Sequence, residues 1–292
     1  MRGLLCTSLT PGSKSLQKLA VESWRNAGFD AVSVNCGEEI GSLKQEFPKV
    51  TFIEAIRDAR SLHNRPLVYL DDIIFSLEKT NKRPIFGIIN SDIVLRSPGL
   101  NRMLQSYIHN HLYFSSRIDV DEINKTDGCL YELGFDFFAF DPSMVEKIPN
   151  SHFCIGAPWW DYWLPMAALL SGFKTVQIEP GIAFHRRHPV KYENEAFYHY
   201  GRHMRQLLVT HMTGGNGLET KQALEEFIDG FFEKDVAKKK KLDNALNSKI
   251  VKDTFLPLFA ESICMFVKQT AGRFSVSKSS IIEGISSCQK CS

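Results

Sequence analysis

The chain lacks most of the features that assign a function directly. Over 292 residues its formal net charge is only +2, too small to make a nucleic-acid or anionic-membrane surface. It has no apolar stretch of membrane-spanning length; the most apolar helical candidate, Tyr162 to Leu170, is short and starts beside Asp161. No internal repeat is visible. No glycine-rich phosphate loop with a basic residue follows the first strand, since Thr10-Pro11-Gly12-Ser13-Lys14 is only a faint match. The seven cysteines are scattered and odd in number. Cys288 and Cys291 form a lone C-x-x-C without a second pair or nearby histidines, which is weak evidence for zinc. Cys6, Cys36, Cys129 and Cys154 sit among apolar residues and read as buried thiols. The expected compartment is therefore reducing, hence cytoplasmic. The opening Met1 to Leu9 reads as a strand, because Thr7 and Ser8 break its apolar run before it reaches the length of a secretory core.

What remains is an ordinary globular composition, 43% hydrophobic and 23% charged. Apolar stretches at strand length (Leu4–Leu9, Ala31–Val34, Val50–Ile53) alternate with helical spacing (Leu16 to Trp24, Ile40 to Phe47), the rhythm of parallel βαβ units. Leu67 to Thr80 is amphipathic, and its Asp71 and Asp72 read as a solvated face. Further strands are expected at Leu112–Ser116, Tyr131–Phe140, Thr175–Ile178 and Gly181–His185. Thr213-Gly214-Gly215-Asn216-Gly217 has linker composition. The expected organisation is thus a catalytic domain over 1–212, a linker over 213–217 and a helical region over 218–292. Helices are expected at Leu218–Phe232 and Thr254–Lys268, with a poorly ordered tail. The four lysines at 238–241 read as a solvated face.

The stretch from Ile85 to Leu95 is the most informative. Its apolar run suits a strand covered on both faces, yet Asn90-Ser91-Asp92 interrupts it. Asp92 is either a turn cap at the strand end or a ligand for a divalent cation that carries a phosphate; ligands in open α/β sheets gather where strands end. Other polar residues share that kind of position: Arg117 and Asp119, Asp136, Asp161 and His185. Asp161 follows Gly156-Ala157-Pro158-Trp159-Trp160 and also reads as a plain helix cap, though a helix N-terminus would lower its pKa. The two tryptophans read as a platform for a flat ligand such as a sugar ring if exposed, and as core if packed. His185 is followed by Arg186 and Arg187, which would suit a diphosphate. Mg²⁺ or Mn²⁺ bridging a diphosphate needs only one or two protein ligands, and it stabilises a leaving group as a Lewis acid.

In this order the residues resemble the GT-A nucleotide-sugar glycosyltransferases, in particular bacterial family-2-like members, with Asn90-Ser91-Asp92 in place of Asp-x-Asp. The resemblance covers about Leu4 to Arg205. It runs through Thr7-Ser8, Glu22-Ser23-Trp24, Val32-Ser33-Val34-Asn35, Ser116-Arg117-x-Asp119, Gly134-x-Asp136-x-Phe138, Gly156-x-Pro158-x-x-Asp161 and His185. It implies a three-layer α/β sandwich with a mostly parallel central sheet and a helical C-terminal appendage. It also implies roles. Thr7, Ser8, Asn35, Asn90 and Arg117 would line the nucleotide donor, and Asp92 and His185 would hold Mn²⁺ or Mg²⁺. Asp136, Trp159 and Trp160 would contact sugar, and Asp161 would be the base that deprotonates a hydroxyl acceptor, glycan or lipid-linked. A sugar nucleotidyltransferase and a non-catalytic nucleotide- or sugar-binding module on the same scaffold are the alternatives.

Overall fold

The computed structural model describes residues 1–80, 82–188, 194–211 and 249–276. The expected linker, the Leu218–Phe232 helix, the lysine run, the C-x-x-C pair and the tail lie outside them.

The first 54 residues fold as the alternation predicts. β1 (Gly3–Thr7), α1 (Lys14–Asn26), β2 (Phe29–Asn35), α2 (Gly37–Glu46) and β3 (Val50–Glu54) form successive parallel βαβ units. β1 is buried throughout, as its unbroken apolar sequence requires of a strand covered on both faces. α1 buries Leu16, Ala20, Val21 and Trp24 along one stripe. Trp24 satisfies its indole by donating to the Ile93 carbonyl at 2.7 Å, so burying the ring strands no donor.

The Ile85–Leu95 run is not one strand. β4 (Phe86–Ile89) pairs with β1 in the main sheet, and β5 (Ile93–Leu95) leaves for a second sheet. Asn90-Ser91-Asp92 is the turn between them, so the polar interruption marks a change of sheet. β6 (His111–Ser115) and β10 (Lys174–Ile178) are parallel neighbours. β9 (Phe137–Phe140) runs antiparallel between β4 and β6. There is no room for a side chain at Gly87 on this seam: an added Cβ would lie 2.3 Å from the Phe138 carbonyl oxygen. β12 (Gly272–Phe274) closes the edge beside β10, giving the order β12-β10-β6-β9-β4-β1-β2-β3 with only β9 reversed. The second sheet is β5-β11-β7-β8, from β7 (Ile118–Val120), β8 (Cys129–Leu130) and β11 (Ala183–Arg186).

Helices cover both faces. α1, α2 and α5 (Leu100–Gln105) pack on one side with β5. On the other lie α4 (Leu70–Glu78), α6 (Trp160–Leu170), α7 (Asn194–His211) and α8 (Lys249–Thr270). α8 contains the expected Thr254–Lys268 helix and packs on α6 and α7, burying Leu256, Phe259, Ile263 and Val267; with β12, residues 249–276 thereby join the core around the main sheet. No described helix is long and apolar enough to cross a membrane.

Several local expectations are corrected. Residues 131–136 are a loop, because Gly134 adopts φ 152° and no strand can continue through it. Asp71 and Asp72 are not a solvated face. Asp71 accepts from the Ser151 and His152 amides at 2.8 and 3.0 Å, and Asp72 accepts from the Arg57 amide at 3.1 Å. They tie two loops to the start of α4. Cys129 is exposed, whereas Cys6, Cys36 and Cys154 are buried thiols as expected. α7 and the short helix α3 (Arg60–His63) had no counterpart in the sequence reading.

Candidate functional site

The change of sheet at Asn90–Asp92 assembles the site. β5 pairs antiparallel with β11 so that Ile93 lies opposite His185, which brings Asp92 to the histidine. On the other side of β11, His185 lies opposite Asp119 of β7. The contacts follow from this register. Nε2 of His185 is 3.5 Å from Asp92 Oδ2, and its Nδ1–H donates to Asp119 Oδ1 at 2.9 Å. His188, three residues on, brings Nε2 to 3.2 Å from Asp92 Oδ2 and 3.1 Å from His185 Nε2. One ligand atom each from Asp92, His185 and His188 lies within 4.8 Å of the others. Burial works against a charge on Asp92, but the hydrogen bonds from His185 and His188 outweigh it and hold the carboxyl well below its usual range.

A polar network continues from this cluster. Arg117 donates through Nε to Asp119 Oδ1 at 2.8 Å and through Nη1 to both oxygens of Asp136 at 3.1 Å. Its guanidinium also lies 4.2 Å from the centre of the Tyr131 ring. Burial opposes its charge, and Asp136 and Asp119 more than restore it, raising its pKa. Asn90 donates its amide to Asp136 Oδ1 at 2.7 Å.

Asp161, in the first turn of α6, accepts from the Phe135 amide at 3.1 Å. Its pKa is pushed up to about 7, first by desolvation and then by the Asp136 charge, against the lowering effects of the Phe135 amide and Arg117. The helix N-terminus was expected to lower this pKa; withdrawal from water and a like charge win. Gly134 is required beside it, since an added Cβ would sit 3.0 Å from Asp161 Oδ2 at an already strained φ.

The residues picked from the sequence therefore divide. Asp92, His185, Arg117, Asn90 and Asp136 are linked by direct contacts through Asp119, and Asp161 feels the charges of Asp136 and Arg117. Asp136 is only 3% exposed and spends its oxygens on Asn90 and Arg117, so it positions its neighbours and is not presented to a sugar. Thr7 and Asn35 are fully enclosed, and of the β1-end pair only Ser8 has some exposure. Asn35 donates to the Leu9 carbonyl at 2.6 Å and accepts from Ser33 at 2.6 Å, bracing the loop after β1 from within. The tryptophan platform is overturned: Trp159 and Trp160 are 1% and 2% exposed. Trp159 packs on Phe197 and Phe259 and donates to the Phe197 carbonyl at 2.8 Å; Trp160 packs on Phe138. They are core, the outcome expected of a purely structural pair. Arg187 pairs with Asp121 at 2.7 Å. His188 was passed over; its signal was the His-x-x-His spacing at a strand end.

The architecture is the GT-A fold, a mostly parallel sheet between two helical layers, with the site where the strands end. Among solved structures, S. aureus TarS 1-349, crystallised in complex with UDP-GlcNAc, matches at TM-score 0.52 and 9% identity, over 99% of this chain and 91% of that one. A longer S. aureus TarS structure matches at TM-score 0.50 and 10% identity over 99% of this chain and 55% of that one. At these identities the likeness concerns the fold. No protein-family model and no curated protein matches the sequence.

Proposed function

We propose that the protein is a glycosyltransferase that moves a sugar from a nucleotide-diphosphate donor to a hydroxyl acceptor. One observation carries this reading: the Asp92–His185–His188 cluster is joined through Asp119 and Arg117 to Asp136, whose charge acts on Asp161, a carboxyl of pKa about 7. The complex of TarS with UDP-GlcNAc supports a nucleotide-sugar donor for the shared fold.

The donor atoms fit a divalent cation. One carboxylate and two imidazoles favour Mn²⁺ over Mg²⁺, which prefers an all-oxygen shell. His185 is already oriented for ligation, because its Nδ1–H is committed to Asp119 and Nε2 is turned to the cluster. Such a cation would supply charge neutralisation to the diphosphate leaving group.

Asp161 takes the proton of the acceptor hydroxyl as that oxygen bonds to the sugar's anomeric carbon and the diphosphate departs. A base with a pKa near the working pH combines a useful ionised fraction with real proton affinity, worth about 10²–10⁴-fold. Asp136 raises that affinity. Arg117 and Asn90 hold Asp136 in place and keep its charge tolerable in a buried position.

The test is a panel of nucleotide sugars, screened by thermal stabilisation and then by donor hydrolysis and transfer. The reading expects one donor to be turned over and Asp161→Asn to bind it without turnover. Binding without any hydrolysis or transfer by the wild type would leave a non-catalytic binding module. Full activity of Asp161→Asn would reject the assigned base.

A further inference from the structure

A second feature lies away from the constellation. Between α3 and the first half of α7 is a cavity of about 340 Å³, walled chiefly by Leu62, His63, Arg65, Glu195, His199 and Arg202. That volume is at the small end for ligand sites. Its fixed charges are two guanidiniums against a single carboxylate, on the exposed Glu195, with the His63 and His199 imidazoles beside them. Arg65 and Arg202 are half-buried, and neither guanidinium makes a salt bridge or hydrogen bond to a described residue. The wall is also firm. His63 is 2.8 Å from the Tyr200 hydroxyl and stacks on that ring, which is itself buried.

α7 ties this cavity to the constellation. Positions 195, 199 and 202 line the groove, while Gly201, Met204 and Leu208 lie on the core side. The core side rests on Trp159, whose indole donates to the Phe197 carbonyl, two residues before Asp161. The tryptophan that is not a sugar platform thus seats the cationic helix against the start of α6.

We propose that this cavity is a subsite for a phosphate-type oxyanion carried by the acceptor. Two half-buried guanidinium forks without carboxylate partners suit a tetrahedral oxyanion, which each can grip through paired N–H donors. The anion site stands on its own geometry; its use by an acceptor rests on the transferase reading.

The experiment follows the arginine Nε–H signals of the full chain by NMR, with EDTA present to keep divalent cations from the Asp92 cluster. Inorganic phosphate and glycerol phosphate are titrated separately, so that free anion and phosphate ester are distinguished. Saturable shifts of Arg65 and Arg202 are expected, with tighter binding of the ester. Arg65→Ala and Arg202→Ala should each weaken binding about tenfold, the low end for hydrogen bonds to a charged group at a half-exposed site. Arg202→Lys should recover part of the loss, and UDP binding with Mn²⁺ reports that each variant is folded. Equal phosphate affinity in the Arg65→Ala/Arg202→Ala double variant, or no saturable shift in the wild type, overturns the anion site. Tighter binding of inorganic phosphate than of the ester overturns its use by an acceptor. Phosphate binding at Arg65 and Arg202 without any UDP binding would sink the transferase reading and leave the anion site standing.

Discussion

Replacing Asp161 by Asn should make the protein more stable while disabling it, and the gain should depend on pH in a defined way. The Asp161 pKa rises from 3.8 to about 7 on folding. The folded state therefore holds this proton more tightly than the unfolded chain, and stability is lost as pH climbs from the unfolded value through the folded one. A shift of about three units corresponds to about 4 kcal/mol at most, and solvent screening of a partly exposed carboxyl lowers this to about 2–4 kcal/mol. Asparagine is neutral throughout and can still accept from the Phe135 amide. Urea unfolding of both proteins at pH 5 and pH 8 should then show the advantage of Asp161→Asn growing by about 1.5–2.5 kcal/mol over that interval. In a protein of this size that is a rise in relative Tm of several degrees. A stability difference that does not change with pH, or a variant less stable at pH 8 than at pH 5 relative to wild type, would refute the assignment of a raised pKa. The same variant should lose at least about a hundredfold in turnover.

Asp136→Asn removes the like charge facing Asp161, so the acid limb of the kcat/KM profile, near pH 7 in the wild type, should move to lower pH; an unmoved limb would place the titrating group elsewhere. Arg117→Met leaves Asp119 and Asp136 without their cation and should destabilise the fold by about 3 kcal/mol, read by chemical denaturation. Trp159→Ala should cost about 3–5 kcal/mol through the cavity it opens, with donor affinity at low temperature unchanged, since the ring is packed under α7. Gly87→Ala should fail to accumulate as folded protein, because its methyl would meet the Phe138 carbonyl at 2.3 Å.

The elements legible in the sequence were those whose partners are near in the chain. β1, α1 and β2 announce themselves by period and punctuation, and their faces are buried as read. Asn90-Ser91-Asp92 was visible as an interruption. That it marks a transfer of the chain between two sheets was not, because the pairing of Ile93 with His185 joins residues 92 positions apart. The antiparallel setting of β9 was hidden for the same reason. Its Phe-rich run suits either direction, and the upstream Tyr131–Asp136 segment has strand composition but is bent by Gly134. Trp159 and Trp160 look available beside a Gly-Pro loop. Trp159 is covered by α7 and by Phe259 of α8, 100 residues downstream, and Trp160 packs on Phe138 of β9. The helix dipole that lowers the Asp161 pKa is legible locally, whereas the burial that raises it and the charge of Asp136, 25 residues away in sequence, are not. The strand-end residues Asp92, Arg117, Asp136, Asp161 and His185 were singled out together because each breaks an apolar pattern. His188, in a polar segment where histidine is unremarkable, breaks none.

The central claim is that Asp92, His185 and His188 grip a cation-bound diphosphate at the mouth of the sheet. Calorimetric titration of UDP into the wild type, with Mn²⁺ and again with EDTA, tests it directly, alongside Asp92→Asn. Saturable binding that needs Mn²⁺ and is weakened at least about tenfold in Asp92→Asn is the predicted result. Equal UDP affinity with and without Mn²⁺, unchanged by Asp92→Asn, would contradict it.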